Sequence, residues 1–152
     1  MRSRIAWTIV ALVVVVIVAQ LMPFTLTALN DPGPAETLIA NRITRFLIRR
    51  ASTQRLPPRP ADMKASAASG STHYGAKCGA CHGPDGRSQM PIGRWMHPRA
   101  ADLTSDQVQS FSDQELFWII QNGIRFTGMP GFGKVETDDG IWNLVDYVRT
   151  LP

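Results

Sequence analysis

Apolar and polar residues follow three different regimes along this chain. From Ile5 to Leu29 there is no charged side chain, and Gln20, Pro23, Thr25 and Thr27 break the apolar run only mildly. As a helix, these 25 residues would extend about 37 Å at ~1.5 Å per residue, longer than a ~30 Å hydrocarbon core. A cleaved secretory leader has a shorter apolar core and a small-x-small site after it. Here Ile5 to Ala19 alone is 15 residues, and no Ala-x-Ala adjoins the end of the run. The pattern predicts an uncleaved N-terminal transmembrane helix within residues 1–30.

Asn30-Asp31-Pro32-Gly33-Pro34 breaks that pattern, because two prolines and a glycine cannot continue a span. Helical periodicity returns from Ala35 to Ala51. Leu38, Ile39, Ile43, Phe46 and Leu47 share one face, with Arg42, Arg45 and Arg49 beside or opposite it. A basic amphipathic helix of this kind fits either the lipid headgroup layer or the surface of a partner subunit. Arg55 to Ala68 reads as a linker, stiffened by Pro57, Pro58 and Pro60 so that it spaces the C-terminal half of the chain from the bilayer. Residues 31–65 are therefore expected to be a basic helix and a Pro-rich linker.

Residues 66–152 form the third regime, with helical patterns and no convincing strand; the fold class is all-α. Ser69 to Lys77 reads as a short helix. Ser112-Asp113-Gln114-Glu115 has the form of a capping box opening a helix to Asn122, with Leu116, Phe117, Ile119 and Ile120 inward and Gly123 as the stop. Thr137, Asp138 and Asp139 open a last helix to about Thr150, with Ile141, Leu144, Val145 and Val148 as its buried stripe.

Charge divides unevenly between these regions. The net charge of +4 combines +6 over residues 1–65 with −2 over residues 66–152. The basic character thus belongs to the membrane-proximal half, and nucleic acid is not an expected partner.

The most specific chemistry lies in Cys78-Gly79-Ala80-Cys81-His82, the covalent attachment pattern of a c-type haem. Each thiol adds across one haem vinyl group, and His82 follows directly as the proximal iron ligand. Cys78 and Cys81 are the only cysteines, too few for a structural zinc site and without the βαβ context of a thioredoxin-like pair. For the second axial position the candidate is Met129, in the loop Thr127-Gly128-Met129-Pro130-Gly131-Phe132-Gly133, whose glycines permit close backbone approach. Met90, Met96, His73 and His97 are weaker alternatives. The two histidines read as surface or capping residues, and Met96 as packing at the haem edge.

Residues 66–152 resemble a class I, monohaem cytochrome c domain of the bacterial membrane-anchored kind. The resemblance rests on Cys78-Gly-Ala-Cys81-His82-Gly83, Pro98-Arg-Ala-Ala-Asp102-Leu103-Thr104, Leu116 to Arg125, Gly128-Met129-Pro130 and Trp142 to Val148. It implies first and last helices that cross, one covalently bound haem c between His82 and Met129, and a proline carbonyl that orients the His82 imidazole, with Pro91 or Pro98 as candidates. It also implies assembly outside the cytoplasm. The expected location is therefore the cytoplasmic (inner) membrane, single-pass, with the haem domain in the periplasm.

No nucleophile–base pair, carboxylate dyad or phosphate loop is evident, so a one-electron carrier rather than an enzyme is expected. Its partners would be redox donor and acceptor complexes and membrane lipid. Phe126 and Phe132, near Met129, form the expected docking rim. The chain would serve as a tethered shuttle between respiratory or photosynthetic complexes. The alternative is a fixed cytochrome subunit of a terminal oxidase, a nitric oxide reductase or a periplasmic dehydrogenase. A haem sensor is a minor alternative, since it needs the distal methionine to leave.

Overall fold

The structure is a computed structural model that describes residues 2–21, 27–53 and 56–152. It divides into two units, Met1–Asn30 and Asp31–Pro152. All regular structure among the described residues is helical, as expected.

The first unit is helix α1, Arg2–Leu21, whose apolar side chains from Ile5 to Val18 are at least half exposed. The expected continuous span from Ile5 to Leu29 falls partly on residues outside the described ones; α1 is described to Leu21, and no helix among the described residues is long and apolar enough to cross a membrane. Within α1, Arg2 and Arg4 occupy the first turn, leaving 17 uncharged residues from Ile5 to Leu21. Residues 22–26 lie outside the described residues.

The second unit is built on two paired helices, α3 (Met63–Lys77) and α8 (Asp138–Thr150). They touch backbone to backbone at Gly70, where a Cβ would stand 2.0 Å from the Asn143 carbonyl oxygen and 2.9 Å from the Tyr147 Cβ. The Tyr74 and Tyr147 rings meet one turn further on, tilted by 50° with centroids 4.9 Å apart. α3 is longer than the Ser69–Lys77 helix expected. It begins at Met63, where the Asp62 carboxylate accepts from the Lys64 and Ala65 amides, and its first half uses the Ala and Ser residues expected to be linker.

Helix α7 (Asp113–Asn122) packs on α8 and forms the expected capping box, with the Glu115 amide donating to Ser112 Oγ and the Ser112 amide to Glu115 Oε2. Gly123 ends it at φ +69°, where a Cβ would collide with the backbone of Met129, Pro130 and Gly131. Phe117, Ile141, Leu144 and Val145 are essentially fully buried between α3, α7 and α8. Trp142 is buried as well, with its ring 4.6 Å from Phe117. Three short helices complete the unit: α4 (Gly79–His82), α5 (Pro91–Trp95) and α6 (Asp106–Gln109).

Helix α2 (Pro34–Ala51) and the proline-rich residues after it belong to the same unit. α2 lies against α7 through Ile48 and Ser52, both buried. Arg45 donates to Ser110 Oγ at 2.6 Å and covers the Phe111 ring at 4.5 Å, and Arg49 reaches Glu115 at 3.5 Å. Leu56 packs on the core, and the Trp142 indole N–H donates to the Pro57 carbonyl at 3.2 Å. Arg59 bonds Asp113 at 2.5 Å and also the buried Asp146, with its guanidinium over the Trp142 ring. Residues 56–60 are therefore a strap held on the helical body, where a free spacer was expected.

Candidate haem-attachment site

Cys78 caps the C-terminus of α3, and the chain turns at once into α4, where the Cys81 and His82 amides both donate back to the Cys78 carbonyl, at 3.1 and 2.9 Å. The tight turn places the three residues of the attachment pattern together, with all three side chains half-buried. Two devices hold it in place. The buried Tyr74 hydroxyl donates to the Gly83 carbonyl at 2.7 Å, and α5 approaches so closely that a Cβ on Gly93 would stand 2.1 Å from the Cys81 carbonyl oxygen. Desolvation, with the nearby Glu136 carboxylate adding to it, pushes the Cys78 thiol up to about 11, so the free thiol is neutral at pH 7. Glu136 itself is buried and paired with His73 at 3.2 Å and with Lys77.

His82 Nδ1 lies 2.9 Å from the Ala101 carbonyl oxygen. That oxygen can only accept, so Nδ1 carries the hydrogen and Nε2 is left with a free lone pair. Burial lowers the His82 pKa, and the Ala101 bond opposes this only in part, so the ring is a neutral imidazole suited to bind a metal. The Ser88 hydroxyl donates to the same carbonyl, and the Ser88 amide donates to the His82 carbonyl at 2.7 Å. Neither Pro91 nor Pro98 fills the role expected of it. Pro91 opens α5, Pro98 lies in the loop beyond, and the acceptor is three residues past Pro98.

Met129 is half-buried and packs at the edge of the same core that Cys78 borders. Its loop is folded back on the end of α7: the Met129 carbonyl accepts from the Ile124 amide at 3.3 Å, and its amide donates to Thr127 Oγ1 at 3.1 Å. Met96 sits behind this loop, its sulfur 2.5 Å from where a Cβ on Gly128 would be. Met90 caps α5 and His97 is exposed. Of the two rim aromatics, Phe132 packs on the core, whereas Phe126 is 91% exposed. Among the described residues no cluster of three or more His, Cys, Asp or Glu side chains could hold a separate metal ion.

A paired first and last helix around a Cys-x-x-Cys-His turn, with a neutral histidine locked by a backbone carbonyl, defines a c-type cytochrome, which carries covalently bound haem c and transfers electrons. The chain belongs to the family described as Cytochrome C oxidase, cbb3-type, subunit III, which it matches over residues 65–148. Among solved structures it is similar to the Kuenenia stuttgartiensis reducing HAO-like protein complex Kustc0457/Kustc0458, with a TM-score of 0.52 and 25% identity. That alignment covers 64% of this chain and 51% of the other, so this chain spans about half the length of the one it resembles. No curated protein matches.

Proposed function

We propose that this chain carries single electrons on one haem c bonded to Cys78 and Cys81, with His82 and Met129 as the two axial ligands. The observation that carries the proposal is the Nδ1–H of His82 donating to Ala101, which frees Nε2 for iron. The bound haem supplies a reversible Fe(III)/Fe(II) couple, and a thioether ligand raises its potential relative to a second imidazole. The protein's own part is to hold both ligands, exclude water from them through the Phe117–Leu144–Val145 core, and leave an edge accessible beside Phe126. With His82 and Met129 both holding the iron, no site for substrate would remain at the metal.

Potentiometry on the holoprotein tests the ligand set. Met129→His should keep a six-coordinate haem and lower the potential on the order of 0.1 V or more, within the wide range that axial ligands set. An unchanged potential and spectrum would remove Met129 from the iron.

The N-terminal residues hold the carrier at the cytoplasmic membrane, with residues 31–152 on the periplasmic side. Support comes from the uncharged sequence Ile5–Leu29 and from α1, whose bare apolar surface is unfavourable in water by ~25 cal/mol per Å². The full chain should then stay with membranes through carbonate and high-salt washes; release into the supernatant would refute this.

Two modes of work are open to such a carrier: exchange between separate redox complexes, or service as a fixed subunit of one oxidoreductase. The subunit reading is favoured by the family's description as an oxidase subunit and by the likeness to a protein complex. Co-purification of stoichiometric partners in mild detergent distinguishes the two.

A further inference from the structure

Helix α2 carries an apolar face that the rest of the unit leaves uncovered. Its inner side is occupied: Ile48 and Ser52 are buried, Arg45 is held by Ser110 and Phe111, and Arg49 reaches Glu115. On the opposite arc of the helix, Ile39, Ile43, Phe46 and Leu47 are between 54% and 62% exposed. Arg50 lies within that arc and Arg42 at its edge, one turn after and one turn before Phe46. Neither pairs with a carboxylate among the described residues. Glu36, in the first turn, is the helix's single acidic residue.

We propose that this face lies on an anionic bilayer surface, with the four apolar side chains at the boundary of headgroups and acyl chains and Arg42 and Arg50 reaching lipid phosphates. The proposal rests on the reading that the chain is held at a membrane. Two observations select lipid over a protein groove. Guanidinium groups within and at the edge of an apolar arc are well accommodated at a membrane interface, where the alkyl stem stays apolar and the head bends toward phosphate. In a dry groove, the same two unpaired cations would lose water without compensation. Chain position gives the second reason. α2 begins at Pro34, five residues beyond the uncharged run that ends at Leu29, so a membrane holding that run lies within a short chain length of α2. Because the inner side of α2 is fixed to α7, a bilayer under its outer side would also fix which side of the haem unit faces the lipid.

The test uses full-length holoprotein, in which Cys78 and Cys81 are occupied by haem and an introduced thiol is the single one free. A nitroxide is placed in turn at Val14→Cys, Ile43→Cys, Phe46→Cys and, as a water-exposed reference, Gln107→Cys. Vesicles are phosphatidylcholine alone or mixed with phosphatidylglycerol. With anionic vesicles, the ratio of collisions with oxygen to collisions with a water-soluble nickel chelate should rise several-fold at positions 43 and 46 over position 107. Arg42→Gln together with Arg50→Gln should lower that ratio again. A ratio at 43 and 46 equal to the reference, or shielding from both reagents as in a protein–protein contact, overturns the proposal. If Val14→Cys still reports lipid in either case, the N-terminal anchor survives and only the α2 surface falls. A Val14→Cys label that reports water overturns both.

Discussion

The Ala101 carbonyl oxygen accepts from both His82 Nδ1 and Ser88 Oγ, so the ring is braced through backbone that no side-chain substitution at position 101 removes. Phe126 is the opposite kind of residue. It holds a left-handed backbone conformation (φ +63°), unusual for a bulky side chain, and leaves its ring almost wholly in solvent three residues before Met129. An exposed aromatic beside the proposed iron ligand suits transient docking of a redox partner. Phe126→Ser should slow electron exchange with a protein partner about tenfold, the worth of roughly 1.4 kcal/mol of docking energy, without moving the midpoint potential. Equal exchange rates in stopped-flow would remove Phe126 from the docking face. Phe132 packs on the core and is only partly exposed, a distinction that two phenylalanines in one glycine-rich loop do not reveal in sequence.

Among the elements, α7 and α8 are joined by Asp113, which accepts from Arg149 at 2.8 Å and from Arg59 at 2.5 Å. Burial works against its ionisation, but the two guanidinium groups outweigh that and hold its pKa below the ordinary 3.8. The folded protein therefore gives up this proton more readily than the unfolded chain. The stability contributed is complete above about pH 3.8 and is lost as pH falls toward the lower folded value. Asp113→Asn should be less stable than the parent at pH 7 and show a shallower further loss between neutral and acid pH in urea titrations. Parallel acid limbs would count against Asp113. The caps of α7 and α8 are legible in sequence because a capping box is written within four residues, Ser112 to Glu115. The start of α3 is harder to read. Its Ala- and Ser-rich first half looks like linker until Gly70 is seen against Asn143, a contact 73 positions away in the chain. The same holds for α2: its periodicity is visible, but the inward side is set by Phe111, Ser110 and Glu115, which sequence order does not bring near it.

At the scale of the molecule, Asp31–Pro152 is one unit because the strap of residues 56–60 is clasped, chiefly by Arg59 on Asp113 and Asp146. Arg59→Ala should cost roughly 3 kcal/mol in denaturant unfolding, since the Asp146 carboxylate is left buried without a cation. Adding Asp146→Asn should recover part of that loss. A double variant no more stable than the single would place the cost elsewhere. The clasp also changes how far the haem can travel. Had residues 56–65 stayed extended, they would have reached ~30 Å at ~3.1 Å per residue, letting the haem sweep out a hemisphere in search of partners. Folded against α7 and α8, they contribute no such radius. On the membrane-held reading proposed above, encounters then depend on drift of the whole body in the plane of the membrane, so throughput should track lipid viscosity and the crowding of partners rather than the length of the chain between them.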